Sequence, residues 1–182
     1  MRWERLFADL EARLEAEDRV VQAGDIADLV RAEHGRLALA DRLRAHLGEI
    51  LTWSLGSGDA SLEGELLDVG ADWVLVKSAR GEALIPIVAV QFIGGLSRAA
   101  RPEPGEVARR LGLGVVLRGL ARDRAVVDLR LRGDLRMTGT IDRVGADHLD
   151  LAVHPADLPR RSDVVLAVRC LPMLAIVSVV VR

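Results

Sequence analysis

The sequence predicts an α+β, mainly β fold in which N-terminal helices are followed by two tandem five-stranded small barrels. Three observations predict it. Val69-Gly70-Ala71-Asp72 recurs letter for letter as Val144-Gly145-Ala146-Asp147, an internal repeat at a spacing of 75 residues. Each copy follows a glycine at the same distance, Gly64 or Gly139, and leads into an alternating apolar stretch. Helical periodicity before Gly48 gives way to a period of two after it, and the same change comes again in the second half.

Half of the 182 residues are apolar and 29% are charged, which suits a chain that buries roughly 70% of its extended surface and is too polar for an integral membrane protein. Asp9, Glu11 and Glu15 interrupt the start, so the pattern of a signal peptide is missing. A cytoplasmic protein without a membrane partner is expected. Cys170 is the single cysteine, which excludes an intrachain disulfide and a cysteine-based zinc site. Lys77 is the sole lysine among 25 basic residues, a bias that reflects a GC-rich genome more than chemistry. Residues 1–97 hold 10 basic and 17 acidic side chains, a balance of -7, whereas residues 98–182 hold 15 and 10, a balance of +5. Halves of opposite charge suit an anionic partner at one end or head-to-tail attraction between copies.

Trp3, Leu6, Phe7, Leu10 and Leu14 recur at three- and four-residue steps, the pattern of an amphipathic helix. Gly24 ends it, and Asp25 is placed to cap a second helix over 25–47, within which Gly35 costs about 1 kcal/mol against alanine. A bend at Gly35 would turn that helix into a helix-turn-helix carrying Arg36, Arg42 and Arg44 on its second limb. Leu51, Trp53 and Leu55 open the first strand. Four more follow, around 62–67, Val74-Leu75-Val76, 83–85 and 90–93. Pro102 and Pro104 mark a linker. A helical pattern returns from Gly105 through Leu111 and Leu120, and the five-strand pattern then repeats, with Val127, Leu129 and Leu131 where Leu51, Trp53 and Leu55 stood. Pro86-Ile87-Val88-Ala89 is matched by Pro172-Met173-Leu174-Ala175, a proline with an alanine three residues on, which predicts a short helical turn before each last strand. The offset there is 86 residues, so the second copy carries 11 extra residues, most of which fall on 154–162. The expected organisation is an amphipathic helix over 1–24, a helix plus first barrel over 25–97, a linker over 98–104, and a helix plus second barrel over 105–182.

A helix followed by five short bent strands, with a glycine in strand two and a turn before strand five, resembles the Sm-like family of SH3-type barrels. The resemblance covers about 25–95 and again about 105–180. The whole chain also resembles an uncharacterised family of GC-rich bacteria. The Sm-like resemblance implies a ring and contact with single-stranded RNA. Its two base-pocket elements are replaced here by Gly70-Ala71-Asp72-Trp73 and Gly145-Ala146-Asp147-His148, and by Pro86-Ile87-Val88-Ala89 and Pro172-Met173-Leu174-Ala175. It therefore implies the barrel more than it implies the RNA.

Candidate chemistry is sparse. There is no phosphate-binding glycine loop, and Ser54, Ser57 and Ser61 have no general-base signature beside them, so neither an enzyme nor a cofactor is expected. His148, Asp150 and His154 share a strand face, but three ligands without a fourth, with Trp73, Leu75 and Ala79 in the first copy, speak against a metal. Asp72 and Asp147 read as acceptors of backbone hydrogen bonds at a turn, Cys170 as buried and inert, and His34 and His46 as solvated helix residues. Arginine remains. Arg118, Arg122 and Arg124 precede the second barrel, Arg130, Arg132 and Arg136 flank its first turn, and Arg160 and Arg161 lie in the inserted loop. Converging guanidinium groups would suit a phosphate backbone, although Asp123, Asp128 and Asp134 lie among them. The leading expectation is a non-enzymatic RNA-associated binding protein using those eight arginines. The alternative is a protein-protein adaptor or homo-oligomeric scaffold that uses Trp3, Phe7 and Leu10 as contacts. A DNA-binding regulator with the helix-turn-helix at 25–47 comes third.

Overall fold

The computed structural model describes residues 35, 37–55, 61–101, 111–157, 160–161 and 163–182. The chain divides into two compact units, Met1–Ala38 and Leu39–Arg182. Of the first, only Gly35, Leu37 and Ala38 are described, so the amphipathic helix over 1–24, the first limb of the helix-turn-helix, and Trp3, Phe7 and Leu10 lie outside the described residues. So do residues 102–104 of the linker.

The second unit opens with helix α1 (Leu39–Arg44), which places Ala40 and Leu43 on its buried side and gives way to a turn before Gly48, whose φ of 82° favours glycine. Strands β1 (Ile50–Leu55), β2 (Ser61–Val69), β3 (Trp73–Ser78), β4 (Gly81–Pro86) and β5 (Val90–Gly94) follow, with a 3-10 turn at Ile87–Ala89 before β5. Helix α2 (Leu113–Arg122) starts after Gly112, buries Leu113 and Leu117, and stops before Arg124, which takes a left-handed φ of 52°. Then come β6 (Val126–Leu131), β7 (Arg136–Val144), β8 (His148–Val153), β9 (Ala167–Pro172), a second 3-10 turn at Met173–Ala175, and β10 (Ile176–Val181). The alternation is visible in burial: Leu51 and Trp53 in β1, and Val127, Leu129 and Leu131 in β6, all face the core.

All ten strands belong to one antiparallel sheet in the order β5-β1-β2-β3-β4-β10-β6-β7-β8-β9. This corrects the expected fold class. In place of N-terminal helices followed by two separate tandem barrels, there is one continuous open sheet with α2 between its two strand sets. The reason is hydrogen bonding at the edges. A lone five-stranded set would leave β4 and β10 with unpaired backbone groups, and here they pair with each other, Val179 opposite Leu84. Packing crosses the same joint. Val177 of β10 sits in the apolar cluster built around Trp53, Leu66 and Ile85, while Trp73 and Leu84 join the cluster of Leu117, Leu129, Leu151 and Ile176.

The strand order of the second set repeats that of the first, and so does its register. Leu66 lies opposite Val76 and Asp68 opposite Leu75, with a bulge between; Ile141 lies opposite Leu151 and Arg143 opposite Asp150, with the same bulge. Trp73 faces Pro86 as His148 faces Pro172. The joint thus pairs the fourth strand of the first set, β4, with the fifth of the second, β10. Their counterparts, β9 and β5, form the two outer edges of the sheet, and no other described strand pairs with their outer sides.

Candidate functional site

The two Val-Gly-Ala-Asp turns have one backbone design. The Gly70 amide donates to the Trp73 carbonyl at 2.9 Å, and the Gly145 amide to the His148 carbonyl at 2.8 Å. The Ile87 and Met173 amides donate to the Asp72 and Asp147 carbonyls at 2.8 and 2.7 Å, tying each turn to the 3-10 segment beyond it. Glycine lets the ring of residue 73 or 148 fold back over it. A Cβ at Gly70 would collide with the Trp73 indole, and one at Gly145 with the His148 imidazole.

Their side chains do different work. The Asp72 carboxylate accepts the Leu113 amide at 2.6 Å, and the Trp73 indole N–H donates to the Leu111 carbonyl at 2.8 Å. The first turn therefore grips the start of α2 across the joint, 41 residues along the chain. At the second turn Asp147 is exposed, and its Oδ1 accepts from His148 Nδ1 at 2.8 Å. That hydrogen bond, and then the charge of the ring, hold the Asp147 carboxyl below the usual carboxylate range, so it is an ionised acceptor at neutral pH. The turn aspartates were expected to bond within their own turns, and for Asp72 the acceptor role extends to a distant element.

Beside this turn runs the edge strand β9. Val168 and Cys170 are exposed there, which corrects the reading of Cys170 as buried. Desolvation by its neighbours, and then the Asp150 carboxylate, push its thiol above the ordinary range, which leaves it a poor nucleophile at neutral pH. At the opposite edge, Phe92 of β5 is 56% exposed. Each edge thus exposes an apolar side chain, Val168 or Phe92, with Arg169 and Asp150 beside the first and Gln91 beside the second.

The arginines do not gather. Arg130 and Arg136 stand opposite each other across β6 and β7 and line a groove of about 1400 Å³ at the joint, together with Lys77, Arg80 and Arg182. Glu63, Glu82 and Asp128 line it as well. Arg118, Arg122, Arg124, Arg132, Arg160 and Arg161 do not. Arg130 pairs with Asp134 at 2.6 Å, Arg182 with Asp128, and Arg160 holds Asp142 with two bonds of 2.6 and 2.7 Å, which raise its own pKa further. Arg118, Arg132, Arg136 and Arg161 are exposed, and Arg122 contacts Asp123 at 3.4 Å.

Neither described arginine of the helix-turn-helix limb projects as a base reader. Arg44 is buried and reaches Asp41 and the Gly70 carbonyl, and Arg42 donates to the Ser97 carbonyl at 2.6 Å. His46 is also buried, bonded to the Arg42 carbonyl and to Ser97, against the expectation of a solvated ring. His154 is buried against Thr140 and the Pro155 carbonyl, whereas His148 is exposed. No group of three or more metal-ligating side chains occurs among the described residues, and no described helix is long and apolar enough to cross a membrane. Sequence reasoning missed the two edges. The signal for them lay in the repeat, since Pro86 is buried at the joint whereas its match Pro172 is exposed. Compared with family models, curated proteins and solved structures, the chain matches none.

Proposed function

We propose that this chain is a non-enzymatic scaffold whose copies join head to tail through the sheet edges β9 and β5. One observation carries this reading. The outer edges are the topological counterparts of β4 and β10, the two strands that already pair within the chain. An edge that fits its own counterpart inside one chain fits the same counterpart on the next, and the contact is heterologous, so it propagates into a ring or a filament. The balance of -7 in the first half and +5 in the second favours that direction of approach.

Light scattering tests it. The assembled species should exceed the 19.7 kDa of one chain, and Val168→Lys or Phe92→Lys, each placing a charge on one edge, should return it to that mass. A single-chain mass for the unaltered protein at every concentration would sink the proposal.

The arginine reading stands second, supported by the groove in which Lys77, Arg80, Arg130, Arg136 and Arg182 outnumber three acids. It requires binding of single-stranded RNA that weakens steeply with salt. Flat salt dependence counts against it.

A further inference from the structure

The inner joint contains more than a strand pair, and its second element has an exposed counterpart at the outer end. Across the inner joint, Asp72 receives the Leu113 amide. The segment it receives is itself repeated: Arg110-Leu111-Gly112-Leu113-Gly114 through Leu117-Arg118 matches Arg36-Leu37-Ala38-Leu39-Ala40 through Leu43-Arg44. Leu39 is thus the counterpart of Leu113, as Asp147 is of Asp72. The alanine in place of Gly112 fits, because a Cβ at Gly112 would meet the Asp72 carboxylate at an ordinary contact distance of 3.5 Å.

We infer that the β7–β8 turn, with Asp147, His148 and Asp150, is a docking site for the segment around Leu39 and Arg42 of a second copy. This rests on the head-to-tail reading and adds the residues that recognise the neighbour. Asp147 takes the Leu39 amide of that neighbour as Asp72 takes Leu113. The side chains differ between the joints in a matched way. Inside, Leu75 and Val116 pack on one apolar cluster. Their counterparts are Asp150 and Arg42, so an apolar pair inside is replaced by an acid and a base outside. Arg42 has capacity for it: of its two terminal nitrogens only Nη2 is engaged among the described residues, by the Ser97 carbonyl. Charge complementarity of this kind sets partner and register more than raw affinity. The equivalence also fixes the strand register. Val179 lies opposite Leu84 inside, and their counterparts are Ile93 and Cys170, so Ile93 of one copy lies opposite Cys170 of the next.

The full-length chain tests this in two ways. Asp147→Ala and Asp150→Arg should each weaken self-association about tenfold, the loss of one charged contact, and Arg42→Asp combined with Asp150→Arg should recover most of it. Independently, Ile93→Cys treated with a mild oxidant at alkaline pH, where the Cys170 thiol ionises, should give a ladder of disulfide-linked copies, since facing strand residues stand within reach of a disulfide. The unaltered chain, with one cysteine, can give no more than a dimer. Assembly that survives both single substitutions, with no ladder, overturns the docking site while leaving a scaffold. No assembly of the unaltered protein overturns both.

Discussion

The first Val-Gly-Ala-Asp turn lies at a joint and the second at an end. Both have the same amide-to-carbonyl bonds and the same ring folded over glycine, so the backbone is indifferent to where the turn stands. What differs is the next residue and its surroundings. Trp73 is buried and locked to Leu111, whereas His148 is exposed beside Asp147. Leu75 becomes Asp150, Leu84 becomes Cys170, and Val177 of β10 answers to Gln91 of β5. Repeat proteins commonly give their outermost units a polar outer face. The comparison teaches that position in the sheet, rather than the fold of the repeat, decides which side chains are apolar. The outer ends keep the shape of the joint with a more polar surface, which suits an association weaker than the inner one.

The largest contrast should come from the ring itself. Trp73→Ala removes a side chain that is 8% exposed and packs in the second cluster, and it leaves the Leu111 carbonyl with only the longer bond from the Ala71 amide at 3.4 Å. It should cost about 4 kcal/mol in urea denaturation. His148→Ala should stay within about 0.5 kcal/mol when measured below the concentration of assembly. Equal losses would mean that the second turn is as deeply engaged as the first, and the division into joint and end would fail.

The glycines of the central strands sharpen the comparison next. A Cβ at Gly139 would collide with the Ala152 carbonyl, which is backbone held in the β7–β8 ladder. At Gly64 the nearest obstacle is the tip of the Val76 side chain, with the Lys77 carbonyl at 3.0 Å. Gly139→Ala should therefore cost about 3 kcal/mol, and Gly64→Ala about 2 kcal/mol, because a side-chain tip, even that of the buried Val76, gives more readily than a backbone carbonyl. A reversed order would show that the first strand set yields less than the second.

Much of the local structure was legible because it is periodic or carried by one residue type. Leu51, Trp53 and Leu55, and Val127, Leu129 and Leu131, stand where alternation placed strands. The proline-to-alanine spacing marked both 3-10 turns, at Ile87–Ala89 and Met173–Ala175. What joins the pieces was not legible. Pairing of Val179 with Leu84 leaves no trace in local pattern, so each strand set was read as closed on itself. Asp72 looked like any turn aspartate because its partner lies far along the chain. The partner of Arg160 was hidden for a similar reason: Asp142 is 18 residues away on β7. The edges as candidate sites were hidden because exposure of Phe92 and Val168 depends on which strands lie beside them.

The smallest effect separates the two aspartates, and it bears most directly on how the joint works. Asp72→Ala leaves the Leu113 amide without its acceptor at a partly buried point, at a cost of about 1.5 kcal/mol. Asp72→Asn keeps an acceptor oxygen and should recover most of that, since an amide carbonyl can take the same hydrogen bond. In a single chain, Asp147→Ala should leave the denaturation midpoint nearly unchanged, because its carboxylate is exposed and the side chain it bonds among the described residues is the neighbouring His148. Its effect should emerge as the concentration rises, when a neighbouring Leu39 amide becomes available. A substitution silent in the isolated chain and costly in the assembly is the behaviour of a group whose partner lies on another molecule. If Asp147→Ala instead lowered the midpoint equally at all concentrations, its role would be confined to its own turn, and the two copies of the motif would be equivalent after all.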